Sequence, residues 1–358
     1  MPSSLGPSIV SRKNFLEFIT MSTNSIVQNI YDDAIVIDAL NVSNWDSPAV
    51  FESLQAGRLT AINATLVTWE NFQQAMDHIA NWKVRFEERR KVITQIRSVS
   101  DILQAKKDGR VGIILGWQNS TPIENDLRRI ELFRSLGIMI MQLTFHERNF
   151  IGNGCYERSD EGLSNFGIDA VQEMNRLGIL IDLSHCGERT TIEAIEMSSK
   201  PVAFTHAHAR SYCEIARNKT DEALRLLAER GGVVGTPAFN RFLPSGRGST
   251  IEDFGAAIDD LVQRVGIDHV GIGTDFTQDQ TQEFWDYIGS QQGTKLPSTF
   301  FESQKDYHKL AHSPKGLETP CKFPGIPDVL SNWGYEEEDI RKILGENWLN
   351  LLRRVWAE

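Results

Sequence analysis

Short apolar runs recur along the chain, and each is followed by a segment whose apolar residues repeat with helical spacing. The runs are almost continuously apolar rather than alternating, which is typical of parallel strands covered on both faces. In the helical segments apolar residues return every three or four positions, as in Phe72, Met76 and Ile79. The predicted strands are residues 34–38, 60–67, 111–116, 138–144, 179–184, 201–205, 232–236 and 269–274.

The number and spacing of these units indicate the fold class. Eight strand–helix units over about 250 residues is the count and length of a (β/α)8 TIM barrel. Gly137 and Gly178 each stand just before a predicted strand, where a glycine in left-handed conformation ends the preceding helix. We therefore expect an α/β fold of the TIM-barrel type. A doubly wound open sheet is the alternative, because a strand count does not show closure.

The two ends of the chain and one internal stretch depart from the repeat. Residues 1–25 have no sustained apolar core and predict a flexible N-terminal arm, which leaves 26–358 as a single domain. Residues 277–325 are polar, aromatic and rich in Gly and Pro, and they follow the eighth strand directly. We expect this lid-like insertion to lie over the barrel mouth. The apolar spacing of 336–355 predicts C-terminal helical structure that closes the fold.

Composition excludes several classes of protein. The 358 residues carry a net charge of −11, which argues against a nucleic-acid-binding or anionic-membrane-binding protein, since both need a basic surface. No apolar run approaches the roughly 20 residues that span a bilayer. The four cysteines lie far apart without a CxxC pair, so reduced thiols and a cytoplasmic location are the simplest reading.

Polar residues stand where several predicted strands end. His185 and His206 follow the fifth and sixth strands, and Asp275 follows the eighth. Neighbouring parallel strands lie about 4.8 Å apart, so the two imidazoles could bind one ion, with Asp275 as a ligand or a base. The structural alternative is that each His only makes a hydrogen bond and that the Asp is a turn residue. His146, just past the fourth strand, is expected to line the mouth.

The motifs DLSHCG, PVAFTH, ARN and GIGTDF, at 182–187, 201–206, 216–218 and 271–276, together resemble the membrane (renal) dipeptidase family. These proteins are zinc amidohydrolase-type barrels that cleave dipeptides, and the resemblance extends from about Val36 to Leu352. It implies that His185 and His206 are metal ligands and that Asp275 lies near the attacking water. It also implies that Arg217 binds a substrate carboxylate, and that the subunits form a homodimer.

The sequence departs from that family at the other metal position. Leu40 and Val42 replace a His-x-Asp pair, Gln118 replaces the glutamate that bridges two metals, and Phe145 replaces a histidine, with His146 beside it. We therefore expect one divalent ion, most simply zinc, on His185 and His206, completed by Gln118, Asp275 or water.

Two functions follow from this set of residues. The first is a metal-dependent hydrolase that cleaves an amide-type bond in a small carboxylate-bearing substrate, with Arg217 and His146 as substrate-binding residues. One divalent cation is enough to activate water and polarise a carbonyl. The alternative is a catalytically inactive barrel that binds a small molecule or a partner protein.

Overall fold

The computed structural model describes residues 30–294 and 312–356. The predicted N-terminal arm and residues 295–311 of the predicted lid-like insertion lie outside the described residues. Within the described ranges, no helix is both long enough and apolar enough to cross a membrane.

Nine strands form one parallel sheet, and eight of them follow one another around a barrel in the order β1-β2-β4-β5-β6-β7-β8-β9. The remaining strand, β3, pairs with the first half of β4, and β5 pairs with the second half. The strands are β1 Ile37–Asn41, β2 Ala61–Val67, β3 Ile93–Gln95, β4 Val111–Trp117, β5 Ile138–Gln142, β6 Leu180–Asp182, β7 Ala203–Phe204, β8 Val233–Thr236 and β9 Val270–Ile272.

The barrel closes between the first and last strands. Asp275 N donates to Leu40 O at 3.0 Å, and Val42 N donates to Phe276 O at 2.8 Å. These bonds join segments more than 230 residues apart. They confirm the (β/α)8 barrel and exclude the open sheet.

Helices surround the strands, and they end as the sequence predicts at Gly137 and Gly178, whose φ angles are 101° and 66°. The helices are α1 Pro48–Ala56, α2 Phe72–Glu88, α3 Val99–Asp108, α4 Arg128–Leu136, α5 Asn165–Leu177, α6 Glu188–Met197, α7 Asp221–Glu229, α8 Ile251–Val265, α9 Gln282–Ile288, α10 Ile326–Asn332, α11 Glu337–Arg341 and α12 Asn347–Val355.

Strand side chains divide between two apolar clusters because successive residues point to opposite faces. On β4, Ile113 and Leu115 belong to a cluster shared with the surrounding helices, and Ile114 belongs to one that contains α12. Trp348 of α12 donates its indole N–H to Ile272 O at 3.0 Å and packs against Gly271, where a Cβ would lie 2.2 Å from the indole nitrogen. The C-terminal helix is therefore an integral part of the barrel, as predicted.

Candidate active site

The predicted site residues come together at the carboxyl-terminal mouth of the barrel. Gln118 and His146 follow β4 and β5, and His185 and Asp275 follow β6 and β9. These four residues line a cavity of about 40 Å³, which we call the reaction cavity. The rest of its wall is mainly apolar and consists of Val42, Phe145, Phe239, Thr277, Phe284, Trp285 and Ile288. Three of these, Phe284, Trp285 and Ile288, belong to α9, so the described part of the insertion covers the mouth.

His185 and His206 are both buried, and their Nε2 atoms lie 2.9 Å apart. Thr205 indicates which nitrogen of His206 is protonated. Its hydroxyl donates to Asp182 Oδ2 at 2.6 Å, so its oxygen accepts from His206 Nδ1 at 2.8 Å. This network assigns the proton to Nδ1 and leaves a lone pair on Nε2, which is a form in which histidine binds a metal.

The same arrangement occurs on both sides of the mouth. Asp182 accepts from the backbone N–H and hydroxyl of Thr205, which precedes His206. Asp38 accepts from the backbone N–H and hydroxyl of Thr274, both at 2.8 Å, and Thr274 precedes Asp275. Each buried carboxylate thus fixes the threonine next to a site residue, and with it the start of the loop that presents that residue.

Asp275 lies in the left-handed region, with φ 58°, a conformation that aspartate tolerates better than most residues. It is partly accessible from the reaction cavity. Its depth in the barrel raises the pKa of the carboxyl to about 7, against the opposing effect of the Arg217 charge. A carboxyl that titrates near neutral pH is suited to accept and return a proton during catalysis.

Phe145 forms the wall between two imidazoles. Its ring centroid lies 3.9 Å from that of His146 and 4.3 Å from that of His185. His146 has a positive φ of 41°, which is uncommon outside glycine. Phe145 therefore supplies an apolar surface to this part of the cavity, and His146 lines the mouth as predicted.

Two buried cations lie beside the histidines. Arg217 donates from Nη2 to His206 O at 2.6 Å and from Nη1 to Ser184 O, and its buried Nε has no hydrogen-bond partner among the described residues. Two of the guanidinium N–H groups that were predicted to bind a carboxylate thus bind backbone carbonyls. Nε–H itself is buried, and Arg217 lies outside the wall of the reaction cavity.

Lys219 is the second cation, and sequence reasoning missed it because lysine is rarely buried. Its Nζ donates to Cys186 O at 2.8 Å and to Thr191 Oγ1 at 3.0 Å, and burial lowers its pKa to about 8. Its sequence position two residues after Arg217 was the one available signal.

The imidazoles at the mouth are neutral. Burial first, and then the charge of Arg217, hold the pKa values of His146, His185 and His206 well below the usual range. Neutral imidazole is the form that coordinates a metal, so the electrostatics suit ligation although the nearby cations oppose a divalent ion.

The two Nε2 atoms are close enough to share either one hydrogen-bond proton or one divalent ion. Two imidazole nitrogens on a tetrahedral zinc lie about 3.3 Å apart for Zn–N bonds of about 2.0–2.1 Å, and the observed Nε2 separation is 2.9 Å. Gln118 donates its Nε2 to Thr65 Oγ1 at 3.2 Å, which leaves its amide oxygen as a third donor.

The β1–β2 side of the mouth has no ligands at the positions where the resembled family binds its other metal. Leu40 and Val42 are apolar and buried where the resembled family has ligands. Across residues 30–294 and 312–356, no three His, Cys, Asp or Glu side chains cluster closely enough to hold a metal. The protein therefore offers two imidazoles and an amide.

His208 is a structural residue rather than a ligand. Its Nε2 lies 2.8 Å from Ala257 O, its Nδ1 accepts from Ala209 N, and its ring packs on Tyr212. Both ring nitrogens are thus engaged away from the reaction cavity.

Comparison with known proteins agrees with the motifs. The family model described as membrane dipeptidase (peptidase family M19) matches residues 26–292. An uncharacterized dipeptidase, C965.12, of Schizosaccharomyces pombe is 30% identical over 260 residues, which cover 71% of this chain and 54% of the relative. The dipeptidase tcpJ of Claviceps purpurea is 25% identical over 262 residues, or 71% of this chain and 53% of that protein. The chain thus spans about half the length of these curated relatives.

Solved structures of other proteins are also similar to this chain. An amidohydrolase from Pseudomonas aeruginosa is 38% identical with a TM-score of 0.88, over 93% of this chain and 99% of that one. A metallo peptidase from Rhodobacter sphaeroides, liganded with a phosphinate mimic of a dipeptide, is 22% identical with a TM-score of 0.73, over 90% and 100% of the two chains. The second supports the fold alone. With the family model matched over residues 26–292, the chain belongs to the membrane dipeptidase family, peptidase family M19.

Proposed function

We propose that the protein is a metal-dependent hydrolase that cleaves an amide-type bond in a small carboxylate-bearing substrate. It uses one divalent ion, most simply zinc, held by His185 and His206. The observation that supports this most directly is the convergence of two neutral imidazoles, one with its proton assigned to Nδ1, beside an aspartate poised to titrate near neutral pH. Family membership supports the reaction class.

The residues of the mouth can perform each proton transfer. A bound divalent cation supplies Lewis-acid polarisation of the substrate carbonyl and of the attacking water. Asp275 takes a proton from that water as its oxygen adds to the carbonyl carbon. The same carboxyl then returns the proton to the nitrogen as the carbon–nitrogen bond breaks, so that one water is consumed for each bond cleaved.

Arg217 is the residue that we propose to bind the substrate carboxylate. Its buried Nε–H lacks a protein acceptor among the described residues, and a carboxylate is the acceptor that benefits most from such a donor. Phe284 and Trp285 of α9 place apolar rings in the wall of the reaction cavity. A small anionic amide is therefore the substrate class that we propose.

The test uses two aspartates that share a backbone conformation. Zinc-loaded protein is incubated with dipeptides, N-acyl amino acids and lactam acids, and products are followed by mass spectrometry. Asp275→Asn should lower turnover at least about 100-fold, the usual minimum for loss of a general base. Asp279→Asn is the matched control, since Asp279 also has a left-handed φ of 59° but is exposed. It should change turnover less than about twofold, the scale of surface substitutions.

Two results would overturn this proposal. One is full turnover by Asp275→Asn. The other is absence of turnover of every compound in the panel by protein that has demonstrably bound zinc.

One observation favours the second function, a barrel that binds a small anion without catalysis. The direct hydrogen bond between His185 and His206 satisfies both Nε2 atoms without an ion, and Arg217 and Lys219 make this side of the cavity cationic. Under this function the metal-free protein binds small carboxylates, and added zinc does not change the affinity.

A further inference from the structure

The reaction cavity is too small for the proposed substrate. At about 40 Å³ it has room for roughly three water molecules, at about 10–15 Å³ each in this measure. An amide with its carboxylate needs several times that space. Most of the substrate must therefore lie outside the reaction cavity.

A larger cavity adjoins it. This side cavity has a volume of about 230 Å³ and shares Val42, Phe284 and Ile288 with the reaction cavity. It lies between the loop after β1, the end of β2, helix α2 and helix α9. Its wall is mixed: ten of the seventeen residues are polar or charged, and the others include Trp45, Leu66, Trp82 and Tyr287.

The charged groups of the side cavity are already partnered within the protein. Arg85 forms an ion pair with Asp46 at 2.5 Å, and its guanidinium lies over the Trp82 ring. Glu70 Oε2 accepts the backbone N–H groups of Thr68 and Trp69 at 2.6 and 3.1 Å. Because these charged side chains already have partners, they do not favour a charged ligand.

Aromatic and aliphatic side chains make up the remaining seven residues of the wall. Trp45 and Trp82 pack together with ring centroids 5.3 Å apart, and Phe284 and Leu66 add to the same wall. Apolar and aromatic walls are typical of the part of a site that holds the uncharged portion of a ligand.

The two cavities are arranged across the barrel. Strand β2 lies four positions from β7 in the eight-strand order, so the side cavity and Arg217 are on opposite sides of the mouth. Val42 stands between the two cavities, and it does so without the charge of the aspartate that the resembled family has there. An apolar group can therefore pass this point without desolvating a carboxylate.

We infer that the side cavity binds the apolar acyl group of an N-acyl amino acid whose carboxylate lies toward Arg217. This inference rests on the proposed function and narrows its substrate class. The preference for a bulky acyl group comes from the side cavity, whereas recognition of the carboxylate comes from the opposite wall.

The experiment compares two probes that differ by one phenyl ring, N-acetylglycine and N-(phenylacetyl)glycine. Their dissociation constants are measured by calorimetry on full-length, zinc-loaded protein carrying Asp275→Asn, so that neither probe is hydrolysed. The phenyl compound should bind about tenfold or more tightly, because burial of the ring outweighs its ordering.

A matched pair of variants locates the preference. Asn81 is exposed on α2 and lines the side cavity, whereas Lys83 is exposed on the same helix outside it. Asn81→Trp should fill the side cavity, so that the dissociation constants of the two probes differ by less than about twofold. A difference of that size is usual for a surface substitution. Lys83→Trp should keep the preference.

Three results would overturn the inference. Equal binding of the two probes by the Asp275→Asn protein without a second substitution would exclude the acyl subsite and leave carboxylate recognition standing. A preference that survives Asn81→Trp would place the ring elsewhere. Failure of both probes to bind would reject the proposed carboxylate-bearing substrate together with the acyl subsite.

Discussion

The two sides of the barrel mouth have opposite chemistry. The β6–β7 side has two converging imidazoles and two buried cations, Arg217 and Lys219. The β1–β2 side presents Leu40 and Val42, and it opens into the side cavity rather than onto ligands. Two imidazoles that we propose as metal ligands thus lie on one side of the mouth, and an apolar surface lies on the other.

This difference between the two sides bears on how the charge of the surrounding side chains affects metal binding at the mouth. Burial costs a divalent cation its hydration, and anionic ligands compensate that loss better than neutral ones. Here Gln118 is neutral, and Arg217 adds positive charge near both imidazoles. The β6–β7 side therefore offers neutral donors to the ion that we propose, whereas Leu40 and Val42 on the β1–β2 side offer no side-chain donor atom.

The largest expected effect comes from restoring ligands on the β1–β2 side. The combined substitutions Leu40→His, Val42→Asp and Gln118→Glu should create a second ion site, with a zinc affinity near 1 μM, or about 8 kcal/mol. Calorimetric titration should then report two ions per chain. Gln118→Glu alone is the control and should leave one ion, since it adds a single donor. If the triple variant still binds one ion, these three positions do not explain the missing site.

A smaller effect is expected from the hydroxyl that orients His206. Thr205→Val keeps the side-chain volume but removes the acceptor for His206 Nδ1–H, so zinc affinity should fall about 10–100-fold, as for other partners of metal ligands. Thr205→Ser keeps the hydroxyl, so its zinc affinity should remain within about twofold of the parent, or about 0.4 kcal/mol. Nitrogen-15 NMR of the metal-free protein should show the Nδ1–H form of His206 in the parent and a mixture in Thr205→Val. An unchanged tautomer would contradict the assignment.

The smallest effect concerns the change with pH in the free energy of unfolding of the metal-free protein. The folded state holds the Asp275 proton more tightly than the unfolded state, because burial raises its pKa to about 7 from an ordinary value of 3.8. This contribution is complete below about pH 4 and is lost as pH rises to about 7. Between pH 5 and pH 8, the free energy of unfolding of Asp275→Asn should therefore rise by about 1–2 kcal/mol relative to that of the parent, a value reduced for partial solvent access.

Urea unfolding at the two pH values, with a chelator present, measures this difference. A constant gap between parent and variant would mean that the Asp275 carboxyl titrates normally.

Much of the fold follows from local patterns. The apolar runs place eight strands, although the first strand spans Ile37–Asn41 rather than 34–38, since apolar residues also precede it. Strand β3 was missed because three residues with one buried side chain give no apolar run. Barrel closure depends on bonds such as that from Asp275 N to Leu40 O, which no local pattern records.

The site was predictable as a set of residues but not as an arrangement. Motif order placed His185, His206 and Asp275 at strand ends, and the structure puts His185 and Asp275 in the wall of the reaction cavity with His206 buried beside His185. It did not show that Arg217 is partly engaged with backbone carbonyls, or that Lys219 is buried beside it. Those features depend on how loops fold over the strand ends, and side-chain type alone does not determine that.

Zinc stoichiometry tests the central claim most directly. Protein purified without chelator, and then titrated with zinc and analysed by elemental analysis and native mass spectrometry, should bind one ion per chain. His185→Ala and His206→Ala should each bind none while remaining folded by circular dichroism. A parent chain that takes up no zinc, or an ion that survives both substitutions, would contradict the metal site on the β6–β7 side.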